Sequence, residues 1–152
     1  MASARAFAWA LEGPAGEGAS AIVVRARRGD GAVAALKVAK GDGAWVGREA
    51  ALLAGIGRRW GPGVLDVGRV PEGTPGLPPG AAFVALEWVE GAPLAEVLAR
   101  PGDREARAAI VAHGVGRALE ELHALGVRHG DVKAANVLVR DPLEAPSSDR
   151  AG

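Results

Sequence analysis

Apolar positions recur at two distinct spacings along this chain. Through the first ninety residues they come in short runs of alternating or continuous hydrophobicity, punctuated by Gly and Pro; beyond residue 100 they recur every three or four positions. The short runs predict strands over 7–12, 20–27, 32–38, 64–70 and 82–89, with 13–18 breaking the first and 29–31 forming a tight hairpin turn. Residues 44–55 predict a helix with Val46, Ala50 and Leu53 on one side. A Pro/Gly loop over 71–80 separates the last two strands, and a short helix is expected near Pro93-Leu94, with Pro in its first turn. The longest helix should run from Asp103, a side-chain cap, to Leu125, stopped by Gly126. Its stripe of Val111, Val115, Leu119, Leu122 and Leu125 is core that another element must cover. Residues 137–139 read as a short strand, and 141–152, rich in Pro, Ser and charge, as loop or disorder. The class is α+β: five strands and one helix, then helices.

Composition narrows this picture. A length of 152 residues suits one domain with a real core rather than two large ones. Hydrophobic residues at 49% against charged residues at 24% exclude a disordered chain. Lys+Arg and Asp+Glu are both 18, so neither nucleic acid nor an anionic membrane is an expected partner. With no cysteine there are neither disulfides nor thiolate metal sites, which fits a reducing compartment. No stretch has a signal-peptide core or a membrane-span length of apolar residues, and a cytoplasmic location is expected.

Candidate chemistry concentrates in His129-Gly130-Asp131-Val132-Lys133-Ala134-Ala135-Asn136. Gly130 and β-branched Val132 disfavour a plain helix, so a loop can turn Asp131, Lys133 and Asn136 towards one point. A carboxylate, an ammonium and an amide meeting there suit a phosphate and its metal, because phosphoryl transfer is mostly positioning and charge neutralisation. The stretch resembles the catalytic loop of the protein-kinase family, H-R-D-x-K-x-x-N, with Gly130 in place of the usual Arg.

The other parts of that family follow in order. Gly16-Glu17-Gly18-Ala19-Ser20-Ala21-Ile22-Val23, by itself an ordinary Gly-rich hairpin, resembles the glycine-rich loop with Ala21 replacing the third Gly. Gly16 and Gly18 would let backbone N–H groups reach the nucleotide phosphates, and Val23 would contact the nucleotide. Lys37, which alone would pass for a solvated strand lysine, lies fourteen residues beyond Val23. The resemblance gives it the α- and β-phosphates, gives Ala35 the adenine pocket, and pairs Glu49 with Lys37. Leu86-Glu87-Trp88-Val89-Glu90-Gly91 is similar to the hinge: Leu86 the gatekeeper, the Glu87 carbonyl and Val89 N–H bonding adenine. In the catalytic loop, Asp131 would orient or deprotonate the substrate hydroxyl, Lys133 would neutralise the γ-phosphate, Asn136 would hold Mg²⁺, and Leu138 would form the adenine floor. His129 is expected to pack structurally.

The resemblance covers about 7–139 and implies a small lobe over 1–87, then hinge and the start of a large lobe over 88–140. It implies an ATP- and Mg²⁺-dependent Ser/Thr protein kinase, since Lys133 follows that pattern, acting on a protein substrate. The expected Asp-Phe-Gly segment has no good match; Asp149, thirteen residues beyond Asn136, is the one candidate metal ligand there, in a poor strand context. The activation segment and later helices have no counterpart, and the chain is read as incomplete. The missing Arg at position 130 argues against control by a phosphorylated activation loop. An uncovered stripe on the long helix predicts marginal stability, self-association or a partner protein. Two other functions stay open: a non-catalytic kinase-like module, and a small-molecule phosphotransferase of the same fold, where His-Gly-Asp also occurs.

Overall fold

A computed structural model describes residues 7–140; the candidate ligand Asp149 and the tail assigned to 141–152 lie outside the described residues. The chain divides into two compact units, one ending at Trp88 and the other beginning at Val89.

The first unit is one antiparallel sheet with one helix. Strands β1 (Trp9–Glu17), β2 (Ala21–Arg28), β3 (Val33–Ala39), β4 (Val64–Arg69) and β5 (Ala82–Glu87) stand in the order β1-β2-β3-β5-β4. Strand β1 corrects the expectation of a break at Gly13. It continues through Gly13-Pro14, with register shifts between Leu11 and Gly13 and between Pro14 and Gly16. An edge strand tolerates Pro because one row of its N–H groups has no ladder partner, and bulges absorb the irregularity. The hairpin between β2 and β3 closes where expected, with Gly31 at φ +89°.

Period-two alternation gives the sheet two buried faces. Val24, Ala26, Leu36, Val38, Phe83 and Ala85 share one face with Trp9, under Val70 and Leu77 of the Pro/Gly connection. Ala39, Val84 and Leu86 share the other with Val46 and Ala50 of helix α1 (Ala44–Ile56). Helix α1 begins against the sheet: a Cβ on Gly43 (φ +71°) would stand 2.6 Å from the Ala82 Cβ, so only glycine fits this approach.

The second unit contains β6 (Ala92–Pro93), α2 (Leu94–Ala99), α3 (Arg104–Ala124), a 3-10 turn (Ala134–Asn136) and β7 (Leu138–Val139), with β6 paired to β7. Pro93 precedes α2 in an extended conformation instead of opening its first turn. The predicted strand over 82–89 ends at Glu87, and two-stranded pairing by β6 was not expected. Asp103 caps α3 by accepting the Ala106 N–H at 2.9 Å, and Gly126 ends it at φ +75°. The α3 stripe is only partly core. Leu122 is buried, Val111, Val115 and Leu119 are half-buried, and Leu125 stays 61% exposed, as does Ile110, off the stripe, at 73%. Among the described residues no helix is long and apolar enough to cross a membrane.

Candidate active site

Register decides which side chains share the α1 side of the sheet. Val23 stands opposite Lys37, Ala35 opposite Leu86, and Lys37 opposite Val84. Opposed residues of an antiparallel pair point to one face, so Val23, Ala35, Lys37 and Leu86 are brought together there. Leu86 is buried, while Val23, Ala35 and Lys37 are partly open. From α1, Glu49 reaches back to Lys37, with Nζ 2.6 and 2.9 Å from its two carboxylate oxygens. Both side chains are about 30% exposed, at 30% and 28%, so the pair is screened less than a surface salt bridge.

The Gly-rich segment straddles the β1–β2 turn, closed by the Gly18 N–H donating to the Ala21 carbonyl at 2.9 Å. Gly16 and Gly18 are exposed, and a Cβ at either would meet nothing within 4 Å. Glu17 between them is tied to Lys40 at 2.5 Å. At the end of β5 the Glu87 side chain accepts the Gly63 N–H at 2.9 Å and pairs with Arg58 at 2.6 Å. A Cβ on Gly63 would lie 2.7 Å from that carboxylate. Glu87 therefore uses its side chain to fasten the strand end, which motif reading did not reveal. Val89 opens the second unit.

In the second unit, Asp131, Lys133 and Asn136 meet at one carboxylate. Asn136 Nδ2 donates to Asp131 Oδ2 at 2.8 Å and to the Asp131 carbonyl at 2.9 Å; Lys133 Nζ lies 3.0 Å from the same Oδ2. The 3-10 turn accomplishes this by shortening the path from Lys133 to Asn136, with Asn136 N–H bonded to the Lys133 carbonyl at 2.9 Å. Gly130 stands at φ +79°, a conformation an Arg would adopt only under strain. His129 is exposed, not packed, and its Nδ1 accepts the Asp131 N–H at 3.3 Å. Leu138 is 47% exposed in β7.

Hydrogen bonding from Lys133, then from Asn136, holds the Asp131 carboxyl below its ordinary value of 3.8. Asp131 is thus a carboxylate at every physiological pH. A lowered folded pKa favours the folded loop above the unfolded value, an advantage lost as pH falls through the folded pKa. In Lys133→Ala the Asp131 carboxyl is expected to titrate closer to 3.8, read from its side-chain carbon NMR shift; an unchanged midpoint would contradict the assignment to Lys133.

For a magnesium–nucleotide complex the donor set is suitable in kind. Asn136 spends its amide N–H on Asp131, leaving its amide oxygen as a hard oxygen donor. Among the described residues no cluster of three or more His, Cys, Asp or Glu could hold a metal alone, so phosphate oxygens or further residues must complete any coordination.

Comparisons with known proteins agree on one kind of chemistry. Residues 79–148 match the lipopolysaccharide kinase (Kdo/WaaP) family. The chain is 42% identical over 59 residues to serine/threonine-protein kinase PknA of Mycobacterium tuberculosis, covering 38% of this chain and 14% of PknA. It is 33% identical over 84 residues to the serine/threonine-protein kinase pkn3 of Myxococcus xanthus, 55% of this chain and 14% of that protein. Crystal structures of the Mycobacterium tuberculosis PknI kinase domain superpose with TM-scores of 0.68 for a double mutant and 0.62 for the unsubstituted domain, each at 22% identity. The former covers 89% of this chain and 56% of the PknI chain. The matches thus span a small part of the curated relatives and about half of the solved domain. All are named kinases, which at family level means phosphotransfer.

Proposed function

We propose, for a chain that has a protein-kinase-like α+β fold and corresponds to the N-terminal part of such a domain, that it transfers the γ-phosphoryl group of ATP·Mg²⁺ to a serine or threonine hydroxyl of a protein. The observation that carries this reading is the meeting of Lys133 and Asn136 on the Asp131 carboxylate. Residues 1–87 act as the small lobe and 88–140 as hinge and start of the large lobe. Lys37, held by Glu49, takes the α- and β-phosphates, Gly16 and Gly18 admit backbone N–H groups to the phosphates, and Val23, Ala35, Leu86 and Leu138 provide apolar contacts to adenine. The Glu87 carbonyl and the Val89 N–H bond its edge. Asp131 orients the acceptor hydroxyl and accepts its proton as the oxygen attacks, Lys133 offsets the developing phosphoryl charge, and Asn136 supplies a metal ligand. When bound, the metal neutralises phosphate charge. Zero net charge supports a protein partner over nucleic acid.

A second reading, transfer to a small-molecule hydroxyl, is favoured by the lipopolysaccharide-kinase match and by Gly130. Lys133 supports the first. Labelled γ-phosphate offered with a mixed protein acceptor and, separately, with core lipopolysaccharide sugars and aminoglycosides separates them. The expected result is label on protein Ser or Thr; label only on sugars would replace the first reading by the second. Label nowhere, with ATP still bound, would indicate a non-catalytic module.

A further inference from the structure

The ammonium of Lys37 has a second neighbour besides Glu49. The indole ring of Trp45 has its centroid 5.1 Å from Lys37 Nζ, within the distance at which a cation is drawn to a ring face. Trp45 and Glu49 are four residues apart on α1, so one helix face offers the ring and the carboxylate together. The ring is itself fixed: Trp45 is half-buried and packs on the cluster of Ala39, Val46, Ala50, Val84 and Leu86. Lysine carries a compact charge on a flexible four-carbon stem. One carboxylate sets the distance of that charge but leaves the stem free to swing about it. A rigid aromatic face on a second side restricts the swing and removes water from part of the ammonium.

We propose that Trp45 is a positioning residue, aiming Lys37 at the nucleotide phosphates. This rests on the nucleotide reading above. ATP affinity, measured by displacement of a fluorescent ATP analogue, tests it in Trp45→Phe, Trp45→Met, Lys37→Met and the Trp45→Met/Lys37→Met double variant. Trp45→Phe, which keeps a ring, should bind within about twofold of the unsubstituted chain; Trp45→Met should bind about two- to fivefold more weakly. In the Lys37→Met background the Trp45→Met loss should vanish, because an effect exerted through Lys37 has nothing left to act on. Full affinity in Trp45→Met, equal losses in Phe and Met, or an undiminished loss in the Lys37→Met background would each overturn the proposal. Should Trp45→Met fail to fold, tryptophan emission at saturating ATP decides, in a chain carrying Trp9→Phe, Trp60→Phe and Trp88→Phe so that Trp45 alone emits: a change present with Lys37 and absent in Lys37→Met supports Trp45, and equal changes overturn it. The reading beneath it fails differently, through an unsubstituted chain that does not bind ATP or a Lys37→Met variant that binds as well.

Discussion

Asp131→Asn is expected to lower the rate of phosphoryl transfer from ATP by about 100- to 10,000-fold, the usual worth of a positioned acid or base, while ATP affinity stays within about twofold. Asparagine has the shape of aspartate, and its amide oxygen can still accept the Asn136 Nδ2 hydrogen bond that now spans 2.8 Å. What disappears is the negative charge that Lys133 faces at 3.0 Å and the capacity to take a proton. Because Asp131 is exposed, the substitution leaves no buried gap, and an unchanged melting temperature shows that any lost rate is chemical. A kcat that survives Asp131→Asn would remove Asp131 from the chemistry and favour a different base.

Lys37→Ala should act on binding rather than on the transfer step. Charge-assisted hydrogen bonds contribute about 1.5–3 kcal/mol each, so ATP affinity is expected to fall about 10- to 150-fold. Glu49→Gln should cost less, since Gln can still accept from Nζ at the position where Glu49 does so at 2.6 Å. The two effects should not add, because both variants act on the same contact. Isothermal titration with ATP·Mg²⁺ checks this. Additive losses would mean that Glu49 acts on something other than Lys37.

The parts that were legible in the sequence are those where spacing alone fixes geometry. Period-two alternation puts Ala35 and Lys37 on one face whatever the rest of the fold does, the β2–β3 register brings Val23 opposite Lys37, and a helix after β3 sets Glu49 within reach. The meeting of Asp131, Lys133 and Asn136 was readable because Gly130 and Val132 discourage a helix, whereas the 3-10 turn that closes it was not. Strand β1 outruns its predicted end because Gly13-Pro14 reads as a breaker, and only its place at the sheet edge makes it tolerable. Gly130 was visible as a departure from the family pattern, but its φ of +79° belongs to the tertiary path of the loop. The ring of Trp45 beside the Lys37 ammonium leaves no motif in the sequence; its four-residue offset from Glu49 is the available signal. The apolar stripe of α3 was correctly placed on one side. How much of it is buried depends on what packs there: Leu122 is covered and Leu125 is not.

A formed nucleotide-phosphate site at Lys37 is tested most directly by a thermal melt with and without ATP·Mg²⁺, run beside Lys37→Ala. ATP at 100 times its Kd should add about 2.7 kcal/mol to the unsubstituted chain, a rise of about 5–10 °C for a chain of this length. The Lys37→Ala chain, bound about 10- to 150-fold more weakly, should gain only about 0.3–1.4 kcal/mol from the same nucleotide concentration, and so should rise by at most about half as much. A melt that ATP leaves unmoved in the unsubstituted chain, or raises equally in Lys37→Ala, would contradict the account.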